Sequence, residues 1–234
     1  MFNCNDCNGC CEDTATQINL TIGDIYRLSC YLDKSPLIMY KENIIGIYPF
    51  ADSDGSFELD LGLKIPCTFR EIVNHKTKIK QCSSYIARPL NCRLFPYWIL
   101  ASAPEKIIDD MKINHPCGKA LKNSVISNND KNIYKEYVNY LSLIMEKENI
   151  YTEFFWSTIK DRLPDIDHTV NRVSIEENRI IINKIVLALE LEDFSYIFKQ
   201  IELEIKKLNN YNREEDHLLN FSDIKTLDDY YKNV

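Results

Sequence analysis

Cys4, Cys7, Cys10 and Cys11 form a C-x2-C-x2-C-C run, with four thiols inside eight residues. The residues between them are Asn5, Asp6, Asn8 and Gly9, and such a stretch has too little apolar surface to bury four cysteines as core. The x2 spacing instead lets a tight turn aim two sulfurs at one metal, each about 2.3 Å away. Gly9 frees the backbone to fold around such a site. Cys10 and Cys11 are neighbours, and neighbouring side chains diverge in extended chain. They serve either different metals or opposite edges of one cluster.

Five further cysteines follow at 30, 67, 82, 92 and 117, and none lies beyond 117. The total of nine is odd, which argues against a closed disulfide framework. The start, Met1-Phe-Asn-Cys-Asn-Asp-Cys7, has neither the basic region nor the apolar region of an export signal. A reducing, cytoplasmic setting is the expectation, and there the thiols read as metal ligands. Adding Cys67, Cys82, Cys92 and Cys117 to the first four gives eight, enough for two four-thiolate sites. Cys30, beside Leu28 and Leu32 on an expected helix, is expected to be a buried structural thiol.

Charge agrees with a ligand role. A divalent metal with four thiolates carries about −2 by formal count, and burying that charge is costly without compensation. Lys64, Arg70, Lys76, Lys78, Lys80, Arg88 and Arg93 face only Glu71 in the window from 64 to 93. Arg88 and Arg93 bracket the Cys82–Cys92 spacing and are expected to donate hydrogen bonds to sulfur. The whole chain carries −7, which argues against a general nucleic-acid binder. No run of eighteen apolar residues exists, so no membrane span is expected.

The chain changes character near residues 118–130. All six glycines and seven of the eight prolines lie at or before Gly118. The first half therefore reads as loop-rich with short strands and the second as helical. Thr21, with Asp24 three residues on, caps an expected helix over 22–31. Phe57, Leu59, Leu61, Leu63 and Ile65 alternate as a half-buried strand, pairing with 44–48 across Asp52-Ser-Asp-Gly55. A second strand pair is expected at 94–100 and 106–113. Further on, Ile133, Tyr137, Leu141, Ile144 and Glu148 trace one helix face. Ile181, Ile185 and Leu189 trace another, and Phe194, Ile197, Phe198, Ile201, Ile205 and Leu208 a third. Leu227, Tyr230 and Tyr231 suggest a short terminal helix. The expected architecture is α+β: a cysteine-cluster metal-binding domain over 1–120 with short antiparallel strands, and a helical region over 121–234 packed on it.

These motifs together resemble the YkgJ-type cysteine-cluster family, a zinc- or iron-chelating domain. The resemblance rests on Cys4-x2-Cys7-x2-Cys10-Cys11, on Ile18–Leu28, on Cys67, on Cys82-x5-Arg88-Pro89-x2-Cys92-Arg93-x-Phe95-Pro96, and on Pro116-Cys117-Gly118. It covers the first half and implies a metal-binding protein; zinc, mononuclear iron and an iron–sulfur cluster all stay open. The C-x2-C-x2-C portion also matches the start of a bacterial ferredoxin run, although Cys11 follows at once where that run has three more residues. A more distant likeness to flagellin lysine-N-methylases implies, as an alternative, an S-adenosylmethionine-dependent protein methyltransferase. Glycine-rich nucleotide loops, H-E-x-x-H and G-x-S-x-G are absent. The four histidines, at 75, 115, 168 and 217, read as ordinary surface or loop residues, with His115 an alternative ligand two residues before Cys117. The implied partner is a metal ion; a protein partner or substrate is not identified.

Overall fold

The structure is a computed structural model that describes residues 18–51, 57–74, 79–115, 117–163 and 191–214, together with 184–185, 187–189, 224 and 227. The 4–11 cysteine run lies outside the described residues, as do Ile181, Tyr230, Tyr231 and the 52–55 turn.

A three-stranded antiparallel sheet opens the fold. Strand β1 (Ile18–Asn19) and strand β2 (Ile45–Ala51) flank β3 (Phe57–Leu63), with Ile18 and Ile45 both opposite Leu63. Alternation decides what is buried: Ile45, Ile47, Leu61 and Leu63 all lie in the core. Helix α1 (Ile22–Leu32) starts where the sequence places it, because Thr21 and Asp24 form a reciprocal capping box. It ends at Asp33, which takes a left-handed conformation with φ 52°. Helix α2 (Pro36–Lys41) is capped by Ser35 with proline in its first turn. A hairpin of β4 (Arg70–Asn74) and β5 (Ile79–Cys82) follows, pairing Arg70 with Cys82.

The expected strand pair at 94–100 and 106–113 is instead a run of helices: α3 (Leu90–Leu94), α4 (Tyr97–Ser102) and α5 (Glu105–Asn114). The spacing explains the correction. Tyr97 and Leu100 are three residues apart on α4, as are Ile108 and Met111 on α5, and each pair lies on one helical face rather than on alternate faces of a strand. Helix α6 (Gly118–Lys122) completes the series, so the first half is more helical than its glycine and proline content suggests.

Helix α7 (Asn128–Ile159) then runs for 32 residues, about 48 Å at 1.5 Å per residue. Ser127 and Asp130 cap it reciprocally, at 3.1 Å from Asp130 N–H to Ser127 Oγ and 2.8 Å from Ser127 N–H to Asp130 Oδ2. Helix α8 (Ser195–Glu214) buries Ile197, Phe198, Ile201 and Ile205, and residues 184–185 and 187–189 are also helical.

The described residues form two cores. One joins the sheet, α1 and α2 to Phe155 and Ile159 of α7 and to α8. The other joins α3, α4, α5 and α6 to Ile133, Tyr134, Tyr137 and Leu141 of α7. Helix α7 thus belongs to both.

Candidate metal centre

The β4–β5 hairpin brings two of the expected ligands to one end. Cys67 follows a cis Ile65–Pro66 bond, and its carbonyl accepts the Arg70 N–H at 3.3 Å. Arg70 is the cross-strand partner of Cys82, so both cysteines sit beside the same residue. Both are half-buried against the first core, and Cys82 Sγ lies 3.4 Å from Ser84 Oγ.

Cys92 lies on α3, half-buried. Cys117 lies in the second core at the start of α6, 1% exposed. His115 Nδ1 stands 2.9 Å from Cys117 Sγ. His115 lies in the loop after α5, and its half-buried ring packs on Phe95, with centroids 4.9 Å apart. No disulfide joins the described cysteines. Among the described residues no group of three or more His, Cys, Asp or Glu side chains is gathered to hold a metal.

Cys30 is exposed, against expectation. On α1 the buried apolar residues are Ile22, Ile25 and Leu28, spaced by three. A residue two places from Leu28 falls about 200° around the helix, and adjacency in sequence misleads there.

Arg88 and Arg93 are both buried, at 7% and 1% exposed. Arg93 Nε donates to the Arg88 carbonyl at 2.8 Å and its terminal nitrogen to the Ile86 carbonyl. Arg93 thereby ties together the segment between Cys82 and Cys92. Burial lowers its pKa, against the opposing pull of Tyr137. The Arg88 guanidinium stacks 4.1 Å over the Tyr85 ring.

Beside this segment lies a cluster that the sequence reading missed as a unit. Arg27 donates to Glu148 Oε1 at 2.6 Å, to Glu148 Oε2 at 2.9 Å and to Asp24 Oδ1 at 2.5 Å. Asp24 Oδ1 also accepts the Leu90 N–H at 2.9 Å, fixing the first turn of the helix that carries Cys92. Thr21 donates its hydroxyl to Glu148 Oε2, and Thr152 accepts the Ile22 N–H at 3.0 Å. Burial raises the Glu148 pKa; Arg27 works against this and Asp24 adds to it. Burial works against the Arg27 charge, but Asp24 and Glu148 outweigh it and hold the guanidinium above its ordinary value. Glycine at 23 lets the Glu148 carboxylate approach closely: a Cβ there would lie 2.3 Å from the carboxyl carbon, so the hydrogen-bonded side chain would have to shift. The signal available in the sequence was a buried-spaced Glu148 on an otherwise apolar stripe.

Residues 3–118 match the CxxCxxCC family model, described as "Putative zinc- or iron-chelating domain". No curated protein and no solved structure matches the chain. The match does not extend to flagellin lysine-N-methylases. Among the described residues no helix is long and apolar enough to cross a membrane.

Proposed function

We propose that this zinc- or iron-chelating region works by thiolate coordination through Cys4, Cys7, Cys10, Cys11, Cys67, Cys82, Cys92 and Cys117, in a cytoplasmic protein. One observation carries the reading: the matched span, 3–118, begins one residue before Cys4 and ends one after Cys117, so it encloses all eight. The described members suit the role chemically. Cys67 and Cys82 are held beside one residue, and Cys117 already faces a second donor type. Cys30, exposed on α1, stays outside the set.

The bound metal supplies thiolate-bond energy to a region whose ligands are scattered through the first 117 residues. Where the site is absent from the unfolded chain, that binding energy becomes folding energy. The residues of this chain do the rest. Arg93 ties down the 86–88 backbone, and Asp24 fixes the start of α3, so Cys92 is presented from a held segment. On this reading 1–120 is the metal-binding domain and 121–234 is a helical support without ligands.

The test is metal content and a visible spectrum on anaerobically purified full-length protein. Stoichiometric zinc without colour identifies zinc sites, and brown protein with iron and acid-labile sulfide identifies iron–sulfur chemistry. Protein purified without either metal, and taking up neither on reconstitution, defeats the proposal.

A further inference from the structure

We propose that His115 is itself a metal ligand, paired with Cys117, so that one of the metal sites has mixed nitrogen and sulfur donors. The proposal rests on the cysteine reading above and deepens it.

The geometry of the 115–118 loop is specific. Cys117 N–H points to His115 Nδ1 at 3.2 Å, and Gly118 N–H donates to the His115 carbonyl at 2.7 Å. Together these fold the chain into a tight turn that sets the imidazole and the thiol face to face. The turn is pressed against the end of α5: a Cβ at Gly118 would lie 2.4 Å from the Lys112 carbonyl oxygen. Only a residue without a side chain fits there, and this is why glycine follows Cys117 directly. On its other side the imidazole packs against Phe95. Phe95 is the residue that ends α3, three residues beyond Cys92, and its N–H still donates to the Asn91 carbonyl. The ring is thus positioned by the segment that carries another expected ligand.

Donor chemistry favours coordination. Imidazole nitrogen and thiolate sulfur are the two commonest zinc donors, at about 2.0–2.1 and 2.3 Å. A tetrahedral angle between them separates the donor atoms by about 3.5 Å. The observed 2.9 Å contact is short of that by roughly 0.6 Å, an opening that side-chain rotation supplies. Coordination through Nδ1 would take the ring lone pair that the Cys117 N–H now contacts at 3.2 Å, so that contact would be given up. The site would hold three thiolates and one imidazole, with one formal negative charge fewer than a four-thiolate site.

The experiment is zinc-edge X-ray absorption on the full-length, zinc-loaded protein. The expected wild-type spectrum has a sulfur-rich shell with imidazole scattering. His115→Ala loses the imidazole contribution and weakens retention of one zinc by more than about tenfold against a chelating dye. His75→Ala leaves both unchanged. His115→Cys, which replaces the donor rather than deleting it, keeps the zinc in a sulfur-only shell and serves if His115→Ala does not fold. A sulfur-only shell in the wild type overturns the His115 assignment and leaves the cysteine reading standing. Imidazole scattering that persists in both His115 variants does the same. A wild type that takes up no zinc overturns this assignment, and uptake of neither zinc nor iron overturns the cysteine reading with it.

Discussion

Replacing Arg27 by methionine removes the guanidinium that joins Asp24 to Glu148. Both carboxylates are essentially inaccessible, at 0% and 1% exposed, and Arg27 is the cation hydrogen-bonded to them among the described residues. Its loss leaves two buried negative groups facing each other. Breaking a buried ion pair by removing one partner costs about 3–5 kcal/mol. Glu148→Gln is a gentler change: the amide oxygen still accepts from Arg27, and Arg27 keeps Asp24 as a one-to-one partner. That variant should cost about 1–2 kcal/mol, the scale of hydrogen bonds to charged groups. The predicted order is therefore Arg27→Met well above Glu148→Gln. The assay is urea unfolding at equal metal content, followed by Trp98 and Trp156 fluorescence and by far-UV circular dichroism. With a slope of about 3 kcal/mol per molar urea, the Arg27→Met midpoint should fall by roughly 1–2 M. A loss below about 1 kcal/mol for Arg27→Met, or a larger loss for Glu148→Gln, refutes the reasoning.

Four further outcomes follow from the same structure. Because burial raises the Glu148 pKa in the folded state, its contribution is greatest at or below the ordinary carboxylate range and declines as pH rises through the raised value. The stability gap between wild type and Glu148→Gln, from urea midpoints, should shrink as pH rises above the ordinary carboxylate range. Gly23→Ala drives a methyl group into the Glu148 carboxylate and should cost about 1–3 kcal/mol by thermal unfolding; an unchanged melting temperature would mean that Glu148 is not pinned. Ser127→Ala removes the α7 cap and should cost about 0.5–2 kcal/mol, with the metal content unaltered. Cys7→Ser should lower metal content and expose residues 1–20 to protease while most helicity survives; unchanged metal and protease resistance would make Cys7 an ordinary thiol.

The parts of the fold that could be read from sequence are those where a local rule decides. The α1 start is signalled by the local capping box of Thr21 and Asp24, and the β2–β3 register by alternation on either side of the 52–56 connection. The α7 and α8 stripes are set by apolar spacing. Local rules mislead where the apolar period is three and each segment is too short to show it. From Leu94 to Met111 the segments are short and separated by Pro96 and Pro104, so too few apolar residues accumulate in each to show the helical period. Cys30 is exposed for a related reason: residues two places apart, as Leu28 and Cys30 are, fall on nearly opposite sides of a helix.

The ionic cluster exposes a different limit. Asp24 reads as a capping residue and Glu148 as one polar position on a helical face; nothing local announces that they share Arg27 across 124 residues. Only the fold brings α1, α3 and α7 to one point. That point lies where α7 passes from one core to the other, between Leu141 and Phe155. A helix that serves two cores needs its rotation and its depth fixed where they meet. The pairing of Glu148 with Arg27 fixes its rotation, and the close approach of Gly23 fixes its depth. Asp24 transmits the same constraint to Leu90, and so to the short helix bearing Cys92. The helical half can therefore influence the cysteine segment through position alone, without contributing a ligand. Glu148→Gln, which keeps its volume, should spare metal content, whereas Asp24→Ala, which frees the Leu90 N–H, should lower it. Equal metal loss in both, measured on protein of matched helicity, would show that the cluster acts through overall stability rather than through the placement of Cys92.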